Sequence, residues 1–283
     1  MFAIIDNSSR KFIDLFQENL QGAKRVWIAS AFVKGEALRT LSSDFENILN
    51  REGNIDFLAG LDFHITDGKA LRLLYQMNSE YENFAYGCYS GSPWEVEGSF
   101  HPKFYLFEKG EKLKILIGSS NLTFGGMKSN VEINAFFELS VKSSEAESAL
   151  DTFIRMKTAE SRIVPDLEYI QNYQIARRQV TKNLRHPRVR KTLSKVIADL
   201  KQSEKRLSRP RVTKNDLIGW KRDVFDLLPE RAFSTSELYE LEGELKKKHP
   251  ENQNVRPKIR QVLQQLRDLG LLEHIRTGFW KPI

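Results

Sequence analysis

The segment 100-FHPKFYLFEKGEKLKILIGSSNLTFGGMKSNVEIN-134 contains the pattern from which the fold can be predicted. Two apolar runs, His101–Phe107 and Lys114–Gly118, flank a Lys-Gly-Glu turn, which is typical of a β-hairpin. A further apolar stretch, Glu132–Val141, follows after a run of small and polar residues. The segment therefore predicts three consecutive strands of a sheet.

Five polar residues of this segment are predicted to lie close together. Side chains two positions apart on a strand face the same way, so His101 and Lys103 point together, and so do Ser119 and Asn121 if the second strand continues to the turn. Neighbouring strands lie about 4.8 Å apart, so these four groups can meet around one small anion. Glu132 opens the next predicted strand. A polar edge hairpin would explain His-x-Lys alone, but the residues that follow it favour a functional site.

The chemistry of these residues suits a phosphodiester. Lys103 and Asn121 can stabilise the non-bridging oxygens as negative charge develops on them. The imidazole of His101 can attack phosphorus or transfer protons at neutral pH, and a carboxylate such as Glu132 can fix its tautomer. No His, Asp and Glu residues are grouped at the close spacing of a metal site, so we expect no metal and no other cofactor.

Apolar runs upstream of the hairpin extend the predicted sheet. Arg25–Val33, Asn54–Gly60 and Phe84–Ser90 are predicted as buried strands, with helices over about 9–21 and 68–78. Alternation of short strands and helices predicts an α/β fold, a sheet sandwiched by helices.

Charge is concentrated in one block of the chain. Residues 177–214 hold 14 Lys and Arg against 2 Asp and Glu, whereas residues 1–150 hold 15 against 20. Such a block is either a solvated linker or a surface that contacts a polyanion such as nucleic acid. A single cysteine, Cys88, fits a reducing compartment. With no signal-peptide pattern and no apolar stretch of about 18 residues, we expect a soluble cytoplasmic protein with no membrane partner.

The tail has the element order of a winged helix. The segment 214-KNDLIGWKRDVFDLLP-229 is amphipathic, and Ser234 with Glu237 predicts a capping box at the start of a second helix. A third helix, in 254-NVRPKIRQVLQQLRDLG-270, has one apolar face and ends at a glycine. Two short strands around Thr277 and Gly278 complete the order. We therefore predict an α/β domain with the candidate phosphodiester site over 1–160, a basic helical linker over 161–210 and a small C-terminal winged-helix domain over 211–283.

The third helix and the wing offer candidate DNA contacts, since Arg pairs with guanine, Gln with adenine, and basic side chains hold phosphates. These polar residues could also be a solvated helix face, and core packing could account for the wing tryptophan. The candidate DNA-binding residues are Arg256, Lys258, Arg260, Gln261, Gln264, Arg267 and Trp280.

Three motifs resemble the phospholipase D superfamily: His101-Pro102-Lys103, Gly118-Ser119-Ser120-Asn121 and Glu132. Among its branches, the chain most resembles the metal-independent restriction endonucleases and related nucleases with one motif per chain. The resemblance implies that His101 is a nucleophile that forms a phosphohistidine. It also implies that Lys103 and Asn121 hold the phosphate with Ser119 nearby, and that Glu132 orients the histidine.

Two features follow from this resemblance. The superfamily often has an aspartate five residues after the lysine, where this chain has Glu108, so we assign the orienting role to Glu132, in the same or the partner subunit. The superfamily mechanism uses two histidines, and none of the other four is followed by Gly-Ser-x-Asn. His64 lies just after a predicted strand, where it could line the cleft or be a loop residue. We therefore expect a homodimer with its active site on the two-fold axis.

The tail resembles the C-terminal winged helix of methyladenine-directed and Dam-replacing restriction endonucleases, notably in 258-KIR-260, in 266-LRD-268 and in the closing Gly-aromatic wing. Together, the two resemblances imply a metal-independent endonuclease that hydrolyses double-stranded DNA. The alternatives are a non-specific phospholipase D-like nuclease in defence or repair, a catalytically silent DNA-binding regulator, and a lipid phosphodiesterase.

Overall fold

The computed structural model describes residues 1–90, 99–183, 195 and 198–283. For residue 63 and residues 179–183, the structure describes the backbone alone. Much of the basic block predicted as a linker, residues 184–194, lies outside the described residues. The chain divides into two compact units, one formed by Met1–Leu139 and Met156–Pro210, the other by Ser140–Arg155 and Arg211–Ile283.

The first unit is built on a sheet of eight strands in the order β1-β7-β6-β5-β2-β3-β4-β8. The strands are β1 Phe2–Ile5, β2 Arg25–Ser30, β3 Asn54–Gly60, β4 Phe84–Tyr89, β5 Lys103–Lys109, β6 Lys112–Gly118, β7 Asn134–Ser140 and β8 Arg162–Ile163. β2, β3 and β4 pair in parallel, whereas β5 pairs antiparallel with both β2 and β6. The carboxyl ends of β2, β3, β4 and β6 therefore lie at the same edge of the sheet as the amino end of β5, and we call this the active edge.

Helices cover the sheet, and their apolar faces form the core. They are α1 Phe12–Leu20, α2 Gly35–Leu49, α3 Gly68–Glu80 and α5 Leu167–Asn183, whereas most of α4, Ser144–Thr158, belongs to the second unit. Phe12 and Phe16 of α1 pack edge-on against Tyr105 of β5. On β3, Asp56 forms a buried ion pair with Lys157. The prediction of an α/β sheet covered by helices is confirmed.

The first strand of the hairpin, β5, begins and ends two residues later than the sequence predicted, whereas β6 begins two residues earlier and ends at Gly118 as predicted. Lys109 pairs with Lys112 across a two-residue turn in which Gly110 has φ +59°. At the other end, β5 begins at Lys103, so His101 lies just before the strand. The physical reason is Pro102, which has no N–H to donate to a ladder; only its carbonyl takes part, accepting from Ala31 N at 2.8 Å.

The second unit contains a winged helix. Its remaining helices are α6 Gly219–Phe225, α7 Thr235–Tyr239, α8 Glu242–Lys248 and α9 Val255–Asp268, and its strands are β9 Phe233–Ser234, β10 Leu272–Arg276 and β11 Phe279–Pro282. The predicted capping box is present, because Ser234 and Glu237 each accept a hydrogen bond from the other's backbone N–H. The second predicted helix is divided into α7 and α8. The third ends before Gly270, which has φ +73°.

Two further observations on the described residues concern the single cysteine and the apolar character of the helices. Cys88 of β4 is fully buried, and burial raises the pKa of its thiol far above the ordinary value. Within the same residues, no helix combines the length and the apolar character needed to cross a bilayer.

Candidate active site

His101 and Lys103 are in direct contact at the active edge. The ammonium Nζ of Lys103 lies 2.6 Å from Nδ1 of His101 and 2.9 Å from its carbonyl oxygen. Lys103 is only 5% exposed, whereas His101 is open to solvent. The ring of Phe32 closes one side, with its centroid 5.4 Å from that of the imidazole. The expectation that His101 and Lys103 point together is therefore confirmed, although only Lys103 belongs to the strand.

The electrostatics of this pair favour an uncharged imidazole. Burial lowers the pKa of His101, and the positive charge of Lys103 lowers it further. Burial also lowers the pKa of Lys103, an effect opposed by the negative charge of Glu132. A neutral ring nitrogen has the lone pair that a nucleophile requires.

Hydrogen bonds from neighbouring segments fix the turn that follows β6. Asn121 Oδ1 accepts a hydrogen bond from Phe32 N at 3.0 Å, which leaves its Nδ2 as the end that can donate to a ligand. Tyr105 OH donates to the carbonyl of Ser120 at 2.7 Å. Gly118 is required by close approach, because a Cβ there would lie 2.3 Å from Ile133 O.

Glu132 is engaged with Ser119 in this chain. The hydroxyl of Ser119 donates to the Glu132 carboxylate and accepts from Ile133 N at 2.9 Å, while Asn130 Nδ2 donates to the same carboxylate at 3.3 Å. Orientation of His101 by Glu132 of its own chain, one of the two arrangements expected from the sequence, is therefore not what the structure shows. The reason is that Glu132 precedes β7 and lies beside Ser119, at the end of β6, whereas His101 precedes β5, the next strand of the sheet.

Asn134 and Ser120 are positioning residues that the sequence reasoning missed. Asn134 is 1% exposed, donates from Nδ2 to Ser120 Oγ at 2.9 Å and accepts from Ser120 N at 3.2 Å. This pair fixes the turn that carries Ser119 and Asn121. No sequence signal marked this asparagine, because the same strand also holds other polar residues, such as Glu138.

Glu108 and His64 lie elsewhere in the unit. Glu108 forms a buried ion pair with Arg25 near the far end of β5, as its exclusion from the site predicted. His64 has φ +53° in the loop after β3, with its ring 5.7 Å from that of Tyr173. Its Nδ1 is buried without a hydrogen-bond partner.

The candidate DNA-binding residues of α9 are arranged on one outer face. Arg256, Arg260, Gln261, Gln264 and Arg267 are exposed and Lys258 is partly exposed, whereas Ile259, Val262 and Leu266 are buried. Two of these arginines are oriented by α7 and α8: Arg256 pairs with Glu242 at 2.7 Å, and Arg260 donates to Tyr239 OH at 2.9 Å. Arg267 pairs with its neighbour Asp268.

Trp280 is placed differently from the prediction. It is 7% exposed, packs in the core of the winged helix and donates from Nε1 to Thr235 Oγ1 at 2.9 Å. Alternation along β11 turns this indole inward and leaves Phe279 on the outside, beneath the guanidinium of Arg276 at 4.3 Å. The prediction that Trp280 contacts DNA is therefore corrected: in this structure, Trp280 is a core residue of the winged helix.

In the part of the chain that the structure describes, no three His, Cys, Asp or Glu side chains are grouped closely enough to hold a metal ion. At the active edge, the ammonium of Lys103, the amide of Asn121 and the imidazole of His101 are groups that suit an anion. The Glu132 carboxylate is engaged with Ser119.

Residues 218–282 match the family model DpnI_C, the Dam-replacing HTH domain, which confirms the resemblance of the tail. Among solved structures, NucT from Helicobacter pylori is 12% identical, with TM-score 0.41, covering 54% of this chain and 90% of its own. Nuc from Salmonella typhimurium, a phospholipase D family member, is 15% identical, with TM-score 0.39, covering 54% and 91%.

The phosphatidylserine synthase of Haemophilus influenzae is 13% identical, with TM-score 0.45, covering 72% of this chain and 48% of its own. No curated protein sequence matches the chain.

Proposed function

We propose that this chain is a metal-independent endonuclease of the phospholipase D type that hydrolyses double-stranded DNA at sites selected by its winged helix. The observation that carries the proposal is the contact of His101 with Lys103 at the same edge as Ser119, Asn121 and Glu132. A phosphodiester is the substrate class that needs this combination of a neutral nucleophile and anion-binding donors.

In the proposed reaction, a ring nitrogen of His101 attacks phosphorus. A phosphorus–nitrogen bond forms as the bond from phosphorus to the leaving oxygen breaks, and that oxygen takes a proton from an acid on the opposite side. Lys103 Nζ and Asn121 Nδ2 donate to the non-bridging oxygens as charge develops. Water then attacks the phosphohistidine, which restores the imidazole and releases the phosphate end.

The second histidine is proposed to come from a partner copy of the same chain. The motif occurs once per chain, and apolar side chains are exposed near Ser119 and Glu132: Ile117 is 42%, Val131 95% and Ile133 65% exposed. Ile4 of the edge strand β1 is also exposed, at 55%. Burial of this strip by a second copy stabilises a dimer by the hydrophobic effect. In such a dimer, Glu132 of one protomer could orient His101 of its partner.

The decisive experiment is cleavage of methylated and unmethylated phage DNA in excess EDTA. We expect discrete DNA fragments in EDTA, and we expect His101→Ala to cleave DNA at least about 1000-fold more slowly than the unsubstituted protein. Lys112→Ala, an exposed residue at the far end of the hairpin, is the matched control and should cut normally. Loss of cutting in EDTA that magnesium restores would reject metal independence, and cutting by His101→Ala would reject the site.

The alternatives give different readouts in the same experiment. A non-specific nuclease would produce a smear on both DNAs, and a DNA-binding regulator would shift DNA without cutting it. Dimer formation is tested with Ile133→Asp, which we expect to sediment as a monomer and to lose cleavage while still binding DNA. Full cleavage by a monomer would overturn the shared active site.

A further inference from the structure

The first unit contains a basic pocket outside the site described above. It lies between the amino-terminal end of α3 and the helix α5, with a volume of about 340 Å³. Four of the residues that line it are cationic: Lys69, Arg72, Arg177 and Arg178. We call this the α3–α5 pocket.

One acidic residue lines the α3–α5 pocket, and its carboxylate is already engaged with the backbone. Asp67 Oδ1 accepts from Gly35 N at 3.1 Å and from Ala70 N at 2.8 Å. The pocket therefore carries a strong net positive charge, with a single carboxylate that serves to cap α3.

A fifth cation, Lys34, lies beside this pocket. Its Nζ donates to Ile65 O, while Arg177 Nε donates to His64 O at 2.8 Å. Two positive side chains are thus fixed to consecutive carbonyls of one loop. The pKa of Lys34 is lowered by burial and also by the charge of Arg177, so an anion bound here would relieve a repulsion that already exists.

The segment after β2 links Lys34, beside the α3–α5 pocket, to the turn that carries Asn121. Phe32 N holds Asn121, Val33 bridges to Leu122, and Lys34 N donates to Leu122 O at 2.9 Å. Two residue steps of extended chain, about 7 Å, lead from Phe32, which positions Asn121, to Lys34. A DNA strand whose scissile phosphate lies at Asn121 would reach the pocket within a few nucleotides.

We propose that the α3–α5 pocket and Lys34 bind the backbone phosphates of the DNA strand that flank the scissile phosphate, so that the nuclease unit has a DNA-binding surface of its own. The inference rests on the proposed function, since it takes a DNA phosphodiester as the substrate. Its contacts are to phosphate and carry no base specificity.

The test compares two triple variants of the full-length chain. Lys69→Ala, Arg72→Ala and Arg178→Ala remove charge from the pocket but leave Arg177, which holds the His64 loop. Lys24→Ala, Arg51→Ala and Lys109→Ala remove three exposed charges near the opposite edge of the sheet and form the matched control. Both triples are made in the His101→Ala background, and circular dichroism establishes that each is folded.

Binding of a labelled duplex is then measured by fluorescence anisotropy between 50 and 300 mM NaCl. Each lost phosphate contact lowers the slope of log K against log salt by about 0.9, so the pocket triple should lose about 2 to 3 units of slope and the control less than 1. Equal slopes for the two triples would overturn the proposal.

Because this assay needs no cleavage, it decides the inference even if the chain proves not to be a nuclease. A second arm titrates inorganic phosphate and follows thermal unfolding. Stabilisation by phosphate that is lost in the pocket triple, without a change in the DNA slope, would identify a small-anion site and would also overturn the proposal.

Discussion

Replacing Asn134 with alanine should weaken both the fold and the cleavage reaction, although Asn134 makes no contact with the reacting atoms in the proposed mechanism. Its side chain satisfies Ser120 N and Ser120 Oγ, at 3.2 and 2.9 Å, inside a region where Ser120 is fully buried. The substitution leaves a buried N–H without a partner, which costs about 1–3 kcal/mol, and removes a hydroxyl hydrogen bond worth about 0.5–1.5 kcal/mol.

The expected loss in the free energy of unfolding is therefore about 2–4 kcal/mol, against a typical total of about 5–15 kcal/mol. The protein should remain folded, so its activity can be measured. Because the Ser120 turn carries Asn121, a displacement of about 1 Å should lower kcat by about 10- to 100-fold with little change in KM.

Urea denaturation and DNA cleavage in EDTA measure the two effects. Asn130→Ala is the matched control, because Asn130 is exposed and makes one 3.3 Å side-chain hydrogen bond to Glu132; its unfolding free energy should change by less than about 0.5 kcal/mol. The reasoning fails if Asn134→Ala is as stable as that control and cuts DNA within two-fold of the unsubstituted protein.

Three further predictions concern the site and the winged helix. The pKa of His101 is lowered by burial and by the charge of Lys103, so kcat/KM should fall on the acidic side only at a pH below the ordinary imidazole pKa. Lys103→Met removes that charge, so it should move this acidic fall in kcat/KM to higher pH and lower kcat about 100-fold. Trp280→Phe should lower the free energy of unfolding by about 1–3 kcal/mol and leave the DNA dissociation constant within two-fold. If Trp280 contacted DNA, the substitution would instead raise the dissociation constant and leave the free energy of unfolding unchanged. Gln264→Ala should cost about 1–3 kcal/mol of discrimination at one base pair, measured by competition with single-base variants of the bound site.

The sequence predicted the main features of the first unit because local patterns determine them. Apolar runs on both sides of a short polar turn predict the hairpin, and the turn glycine Gly110 joins its two strands. The predicted start of β5 was wrong by two residues because the predicted strand ran through Pro102, whose missing N–H ends the ladder. A pattern of apolar residues therefore locates a strand better than it locates its ends.

The missed parts of the site depend on contacts between residues distant in sequence. Phe32 N binds Asn121 across 89 positions, and no motif links the two residues. Asn134 is hidden for a different reason, since a buried asparagine in a strand is indistinguishable from a surface one until the fold is known. Trp280 shows the converse, because its indole is both apolar and a donor, so sequence alone fits a core position and a DNA contact equally well.

The single cysteine has a practical consequence for spectroscopic work. Cys88 is fully shielded and its thiol stays protonated, so maleimide reagents should not label the native chain. A cysteine introduced at an exposed position outside the proposed dimer contact, such as Lys112, can then carry a fluorophore or spin label with no need to remove a natural thiol. Distances between labels on two copies would measure the spacing of the protomers in solution, with and without DNA.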